Sequence, residues 1–121
     1  MRAAWVRRSG IFPTTRSSVV RGNAIVRSST GNAFFGTGRG LEISRNTIID
    51  ATVDGIRVNG NGATVSSVTI TENVVRTSPG VRTSRGISAQ NGTFLDCVAS
   101  QNRIEGASEN YVLAPGWQLV P

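Results

Sequence analysis

Thirteen arginines and seven carboxylates are the only charged side chains in this 121-residue chain, which contains neither histidine nor lysine. The lack of histidine removes the commonest general base and the commonest metal ligand. The acid/base groups that remain for proton transfer are Asp50, Asp54, Asp96 and Glu109. A single thiol, Cys97, excludes an internal disulfide. The stretch "GTGRG" (36–40) lacks the lysine and the strand-to-helix setting of a phosphate loop. Seven arginines precede Glu42, the first acid, so residues 1–41 carry +7 and residues 42–121 carry −1. These arginines are scattered and few aromatics lie between them, which disfavours nucleic acid as a partner. No apolar stretch approaches the roughly 20 residues of a membrane span.

The elements that must position these groups are short and β-forming. Val, Ile, Thr, Ser, Asn and the 14 glycines dominate, and no segment sustains a 3.6-residue period. Four segments align on an asparagine: "SVVRGNAI" (18–25), "LEISRNTI" (41–48), "VTITENVV" (68–75) and "CVASQNRI" (97–104). Asn23, Asn46, Asn73 and Asn102 are spaced by 23, 27 and 29 residues. Apolar residues keep phase with them, at Val20, Ile43, Ile70 and Ala99 before, and at Ile25, Ile48, Val75 and Ile104 after. A second apolar segment follows each: "AFF" (33–35), "GIRV" (55–58), "GISA" (86–89) and "NYVL" (110–113). The loops between them vary in length, as insertions do in a solenoid.

Stacked turns place equivalent residues about 4.8 Å apart, so charges at one phase should alternate in sign. They do so in the columns Gly22, Arg45, Glu72, Gln101; Val26, Ile49, Arg76, Glu105; Arg27, Asp50, Thr77, Gly106; and Asn32, Asp54, Arg85, Glu109. Such pairs set register and neutralise one another, which favours a structural role for the acids. The asparagines are expected to stack at a tight corner, taking its left-handed conformation and bonding through their amides.

This pattern resembles the right-handed parallel β-helix of the pectate-lyase-like superfamily, over residues 18 to about 114. The resemblance implies an all-β solenoid of about four coils with an asparagine ladder. Residues 1–17 are expected as an irregular N-terminal segment or cap, 18–114 as the coils, and 115–121 as a C-terminal tail with Trp117 over the solenoid end. In the enzymes of that superfamily the outer face of the "GIRV"-type strand and the loop before it form a saccharide groove. Here that implies Arg57, Arg82, Arg85, Ser88 and Asn110 as substrate-binding residues, with Asp54, Arg85 and Glu109 as the weak catalytic candidates. Arginines could hold uronate carboxylates bidentately. Calcium enters only through the lyases of the family. Acids interleaved with arginines neutralise such a site, so no cofactor or metal site is expected. The hydrolase and epimerase signatures, which need histidine, are absent.

Three functions follow as expectations. The first is a carbohydrate-associated module, a fragment or catalytically incomplete relative of polysaccharide-active proteins. The second is a structural module of a phage tailspike or cell-surface adhesin. The third is a polysaccharide lyase or hydrolase completed by residues outside this chain. Partners would be a polysaccharide or glycan, a homo-oligomer, or the remainder of a longer chain. The family implies an extracellular or surface location, although "MRAAWVRRSGIFPTTR" (1–16) is no clear signal peptide. Ice binding wants a regular threonine array, and Thr69 and Thr71 are not repeated at one phase.

Overall fold

The computed structural model describes residues 9–11, 19–28, 30–35 and 38–120; side chains at 9–11, 31–35 and 38 lie outside the description. It opens with β1 (Ser9–Ile11). The first turn then runs through β2 (Val19–Arg21), β3 (Ala24–Val26), β4 (Thr30–Phe35) and β5 (Gly38–Arg39). The second comprises β6 (Glu42–Ser44), β7 (Thr47–Ile49), β8 (Asp54–Asn59) and β9 (Thr64–Ser66). The third repeats the plan with β10 (Thr69–Thr71), β11 (Val74–Arg76), β12 (Thr83–Gln90) and β13 (Thr93–Leu95). The last strands are β14 (Cys97–Ser100), β15 (Arg103–Ile104), β16 (Ala107–Leu113) and β17 (Trp117–Val120).

Among the described residues every pairing is parallel and joins equivalent strands of adjacent turns, which makes a β-solenoid with four sheets as its walls. Sheet I holds β2, β6, β10, β14 and β17; sheet II holds β3, β7, β11 and β15. Sheet III holds β1, β4, β8, β12 and β16, and sheet IV holds β5, β9 and β13. Three turns are complete. The fourth omits the sheet IV strand: Gly116 crosses directly against the backbone of Phe94, with no room for a Cβ, and the chain re-enters sheet I as β17. Residues read from the sequence as part of a tail are therefore a paired strand. The Trp117 ring lies 5.7 Å from that of Phe94.

Alternation on three-residue strands sends one side chain per strand inward. Val20, Ile43, Ile70 and Ala99 stack in sheet I, and Ile25, Ile48 and Val75 in sheet II, all at most 1% exposed. Ile56 and Ile87 stack in sheet III, and Val65 with Phe94 in sheet IV. Burying each such side chain stabilises the fold by about 1.5–3 kcal/mol before chain entropy is counted. Gly55 and Gly86 occupy one column because a Cβ there would lie 2.7 Å from Val75 and 2.6 Å from Ile104, respectively.

The asparagine column is present. The Nδ2 of Asn23, Asn46 and Asn73 donates to Oδ1 of the asparagine in the next turn at 3.1, 3.0 and 3.0 Å. That same Oδ1 also accepts the preceding turn's backbone N–H at 3.0 Å. The second Nδ2 hydrogen of Asn46, Asn73 and Asn102 reaches the carbonyls of Val20, Ile43 and Ile70 at 3.0 Å. At the far end of the column burial raises the Tyr111 pKa, an effect partly offset by the neighbouring Asn102 amide.

One expectation is corrected. The asparagines are not the left-handed residues of the corner. The residue before each takes that role: Gly22, Arg45, Glu72 and Gln101 have φ of 68°, 53°, 57° and 54°. The corner separates two tasks. One residue bends the chain, and the next, with ordinary φ, bonds the stack together. Two further corners use the same device, at Arg27 and Asp50 (φ 59° and 60°) and at Ser67 and Asp96 (φ 55° and 53°).

The charge columns hold in part. Arg45 and Glu72 pair at 3.7 Å, and Asp54 and Arg85 at 2.5 Å. Arg27 lies close enough to Asp50, and Glu109 to Arg85, to stabilise the charge of each. Glu105 instead pairs with Arg103 of its own turn at 3.2 Å. In the last column Thr30, not Asn32, stacks on Asp54; Asn32 pairs with Ile56, two positions further along the strand.

Candidate ligand-binding face

The sequence-derived candidates fall on sheet III and the loop that feeds it. Asp54, Arg85 and Glu109 are register partners in β8, β12 and β16. Asp54 is fully buried. Its Oδ1 accepts Arg85 Nε at 2.5 Å, and its Oδ2 accepts Arg57 Nε at 2.6 Å and Arg85 Nη2 at 3.2 Å. The two arginine side chains remain 29% and 31% exposed. Two guanidiniums thus share one buried counter-ion and keep an outer edge in solvent. The Asp54 hydrogen bond, with Glu109 also near, pushes the Arg85 pKa above its ordinary value.

Two physical reasons bring these groups together. Arg57 reaches Asp54 from three residues along the same strand, and the parallel register lays Arg85 directly over Asp54. A carboxylate at zero exposure with both oxygens taken cannot meet a substrate proton, so Asp54 is placed as an internal counter-ion. What the arrangement offers outward is donors. Both terminal amino groups of Arg57 and one of Arg85 have no partner among the described residues.

The remaining candidates disperse. Ser88 lies in register between Arg57 and Val112 and is only 2% exposed, so it presents almost no surface to a ligand. Asn110 does not share the Arg57–Ser88 column. It lies two positions earlier, in register with Gly86, against which its carbonyl sits, and is exposed. Val112 takes the outward place in that turn. Glu109 is exposed beside Arg85.

Arg82 is exposed at the end of the loop that enters β12. That loop is tied down by Asp50, which accepts the Ser78 backbone N–H at 2.6 Å and its hydroxyl at 2.8 Å. The Ser78 bonds, led by the backbone N–H, hold the Asp50 carboxyl below its usual range. Thr83 then donates to the Ala51 carbonyl and starts the strand.

Among the described residues no three Asp, Glu or Cys side chains converge as metal ligands. No described helix is long and apolar enough to cross a membrane. Cys97 is buried, donates to the Leu95 carbonyl at 3.4 Å, and burial raises its pKa.

The sequence reading did not single out the outer face of sheet I as a binding surface. Arg21, Glu42, Ser44, Thr69 and Thr71 line a groove of about 250 Å³ there. The available signal was the i,i+2 alternation that sends Glu42 and Ser44, then Thr69 and Thr71, to the same side. Comparison with protein-family models, with curated proteins and with solved structures returned no match to this chain.

Proposed function

We propose that this chain is a carbohydrate-associated module of the pectate-lyase-like kind that binds acidic glycans on sheet III without cleaving them. The observation that carries this reading is the pair of guanidiniums anchored on buried Asp54. Anchoring through Nε fixes both side chains before a ligand arrives, so little rotamer entropy is lost on binding. The free terminal amino groups suit planar carboxylates, such as those of uronate residues. Exposed Arg82 adds positive charge on the loop that enters the same strand. A proton-transfer role has no accessible partner in Asp54, which supports binding over chemistry.

Calorimetric titration with tetragalacturonate tests this. Binding should weaken as salt rises. Arg57→Lys keeps the pair with Asp54 but loses the outward fork, Arg85→Lys loses its one outward donor, and each should reduce affinity about tenfold. Equal affinity for neutral and acidic oligosaccharides, or none for tetragalacturonate, contradicts the reading.

A second reading, as a structural module of a spike or adhesin, has one observation behind it. Leu119 sits at the phase of Val20, Ile43, Ile70 and Ala99 yet is 47% exposed. A discrete trimer in light scattering, together with no glycan binding, would favour it.

A further inference from the structure

We infer that the outer face of sheet I carries a second binding site, selective for neutral, hydroxyl-rich saccharides. The inference goes beyond the acidic-glycan reading and stands without it.

Register builds the site. Glu42 pairs with Thr69 and Ser44 with Thr71, so their outward side chains form a grid across β6 and β10. Arg21 of β2 borders it on one side, and Arg45 and Glu72, both at the left-handed corner, border it on another. The hydroxyl residues lie low and the charged ones stand high: Ser44 is 3% exposed and Thr69 and Thr71 are half-buried, while Arg21, Arg45 and Glu72 are exposed. At about 250 Å³ the groove is small; ligand clefts begin near roughly 300 Å³, so it suits one or two sugar rings rather than an enclosed ligand.

The electrostatics select against ions. Two arginines and two glutamates line the groove, paired as Arg21–Glu42 at 2.8 Å and Arg45–Glu72 at 3.7 Å. The charges cancel, whereas around sheet III Arg57, Arg85 and exposed Arg82 outnumber Asp54 and Glu109. A polyanion gains nothing here, but a ligand carrying both donors and acceptors does.

The polar atoms are arranged for such a ligand. Glu42 Oε2 accepts Arg21 Nη2 at 2.8 Å, Arg21 Nε at 3.2 Å and the Ser44 hydroxyl at 2.6 Å. These bonds fix the carboxylate and leave Oε1 without a partner among the described residues. The Thr69 hydroxyl likewise has none. Arg45 is engaged only loosely, through Nε, so its terminal amino groups can donate. A fixed acceptor, a hydroxyl and a guanidinium side by side complement vicinal hydroxyls, each of which donates and accepts. The hydroxyl row continues into the next turn, where Thr71 and Ser100 bond at 3.0 Å. No aromatic ring lines the groove, so binding is weak and its specificity rests on hydrogen bonds.

The test is a series of amide ¹H–¹⁵N spectra of the full chain titrated separately with maltohexaose, cellohexaose and mannohexaose. At least one should shift the amides of residues 42, 44, 69 and 71 saturably, with no dependence on salt. The near-isosteric variants Thr69→Val and Glu42→Gln should each weaken that binding about fivefold or more, and the distant Glu105→Gln should not. The same spectra report whether each variant is folded. The proposal is overturned if none of the three sugars moves these amides, or if either groove variant binds as the wild type does. Tetragalacturonate shifts confined to residues around Arg57 and Arg85 belong to the other site, so failure of one reading is separable from failure of the other.

Discussion

Asn46 Nδ2 donates to Asn73 Oδ1 at 3.0 Å, and the same oxygen accepts the Asn46 backbone N–H at 3.0 Å. One buried side chain thereby satisfies two donors of the turn before it and, through its own Nδ2, the carbonyl of Ile43. Repetition of that arrangement fixes the height of each turn on the last, and with it the register of both outward faces.

Asn73→Ala removes the partners of several buried polar groups at once. Each unsatisfied group costs about 1–3 kcal/mol, so the variant should lose about 3–5 kcal/mol in urea denaturation. Asn102→Ala, at the half-buried end of the column, should lose about half as much. Equal small losses would show that the ladder contributes little.

The left-handed corner gives a prediction of opposite sense. Glu72 has φ 57° and a solvent-exposed side chain. Glu72→Gly should be close to neutral, whereas Glu72→Val should cost about 1–2 kcal/mol, because a β-branched residue is strained there. The ion pair to Arg45 contributes little, since both partners are exposed. A large loss in Glu72→Gly would mean that the side chain, not the backbone, governs the corner.

Gly86→Ala should destabilise by about 2–3 kcal/mol through overpacking, because its Cβ would meet the Asn110 carbonyl and Ile104 at 2.6 Å. Gly62→Ala, at φ +79° with open space around it, should cost only about 1 kcal/mol of conformational strain. Thermal melts of the two variants distinguish a packing glycine from a turn glycine.

Acid should weaken the fold through two identified carboxylates. Glu42 is held below its usual range by the Ser44 hydroxyl and Arg21, and Asp50 by the Ser78 backbone N–H and hydroxyl. Both bind protons more weakly folded than unfolded. Their contribution is therefore full above the unfolded values near about 4 and is lost as pH falls through the folded ones. Carbon-detected titration should show Ser44→Ala moving the Glu42 midpoint up toward its ordinary value while leaving Asp50 unmoved.

Much of the repeat was legible because burial imposes it. An inward residue on a three-residue strand must be apolar, and the asparagine must recur wherever a corner amide is buried. The corner conformation was not legible, because Arg45, Glu72 and Gln101 carry no compositional mark of φ > 0; only Gly22 does. The slip at Asn32 has a similar cause. Length differences in the loop before β4 are invisible to apolar matching, and a shift of two residues preserves the alternation. Ser88 illustrates a third limit, since a residue that alternation assigns to the outer face can still be buried, here at 2% exposure. The pairing of Asp54 with Arg85 could be read from sign alternation, but the sharing of Asp54 with Arg57 could not, because strict alternation sends residues three apart to opposite faces.

The most direct test of the acidic-glycan account is to follow the guanidinium resonances of Arg57 and Arg85 while the full chain is titrated with tetragalacturonate. The account predicts that both sets shift together and saturate, that added salt reverses the shift, and that the oligosaccharide is recovered uncut. Unmoved resonances at saturating ligand, or cleavage of the ligand during the titration, would contradict it.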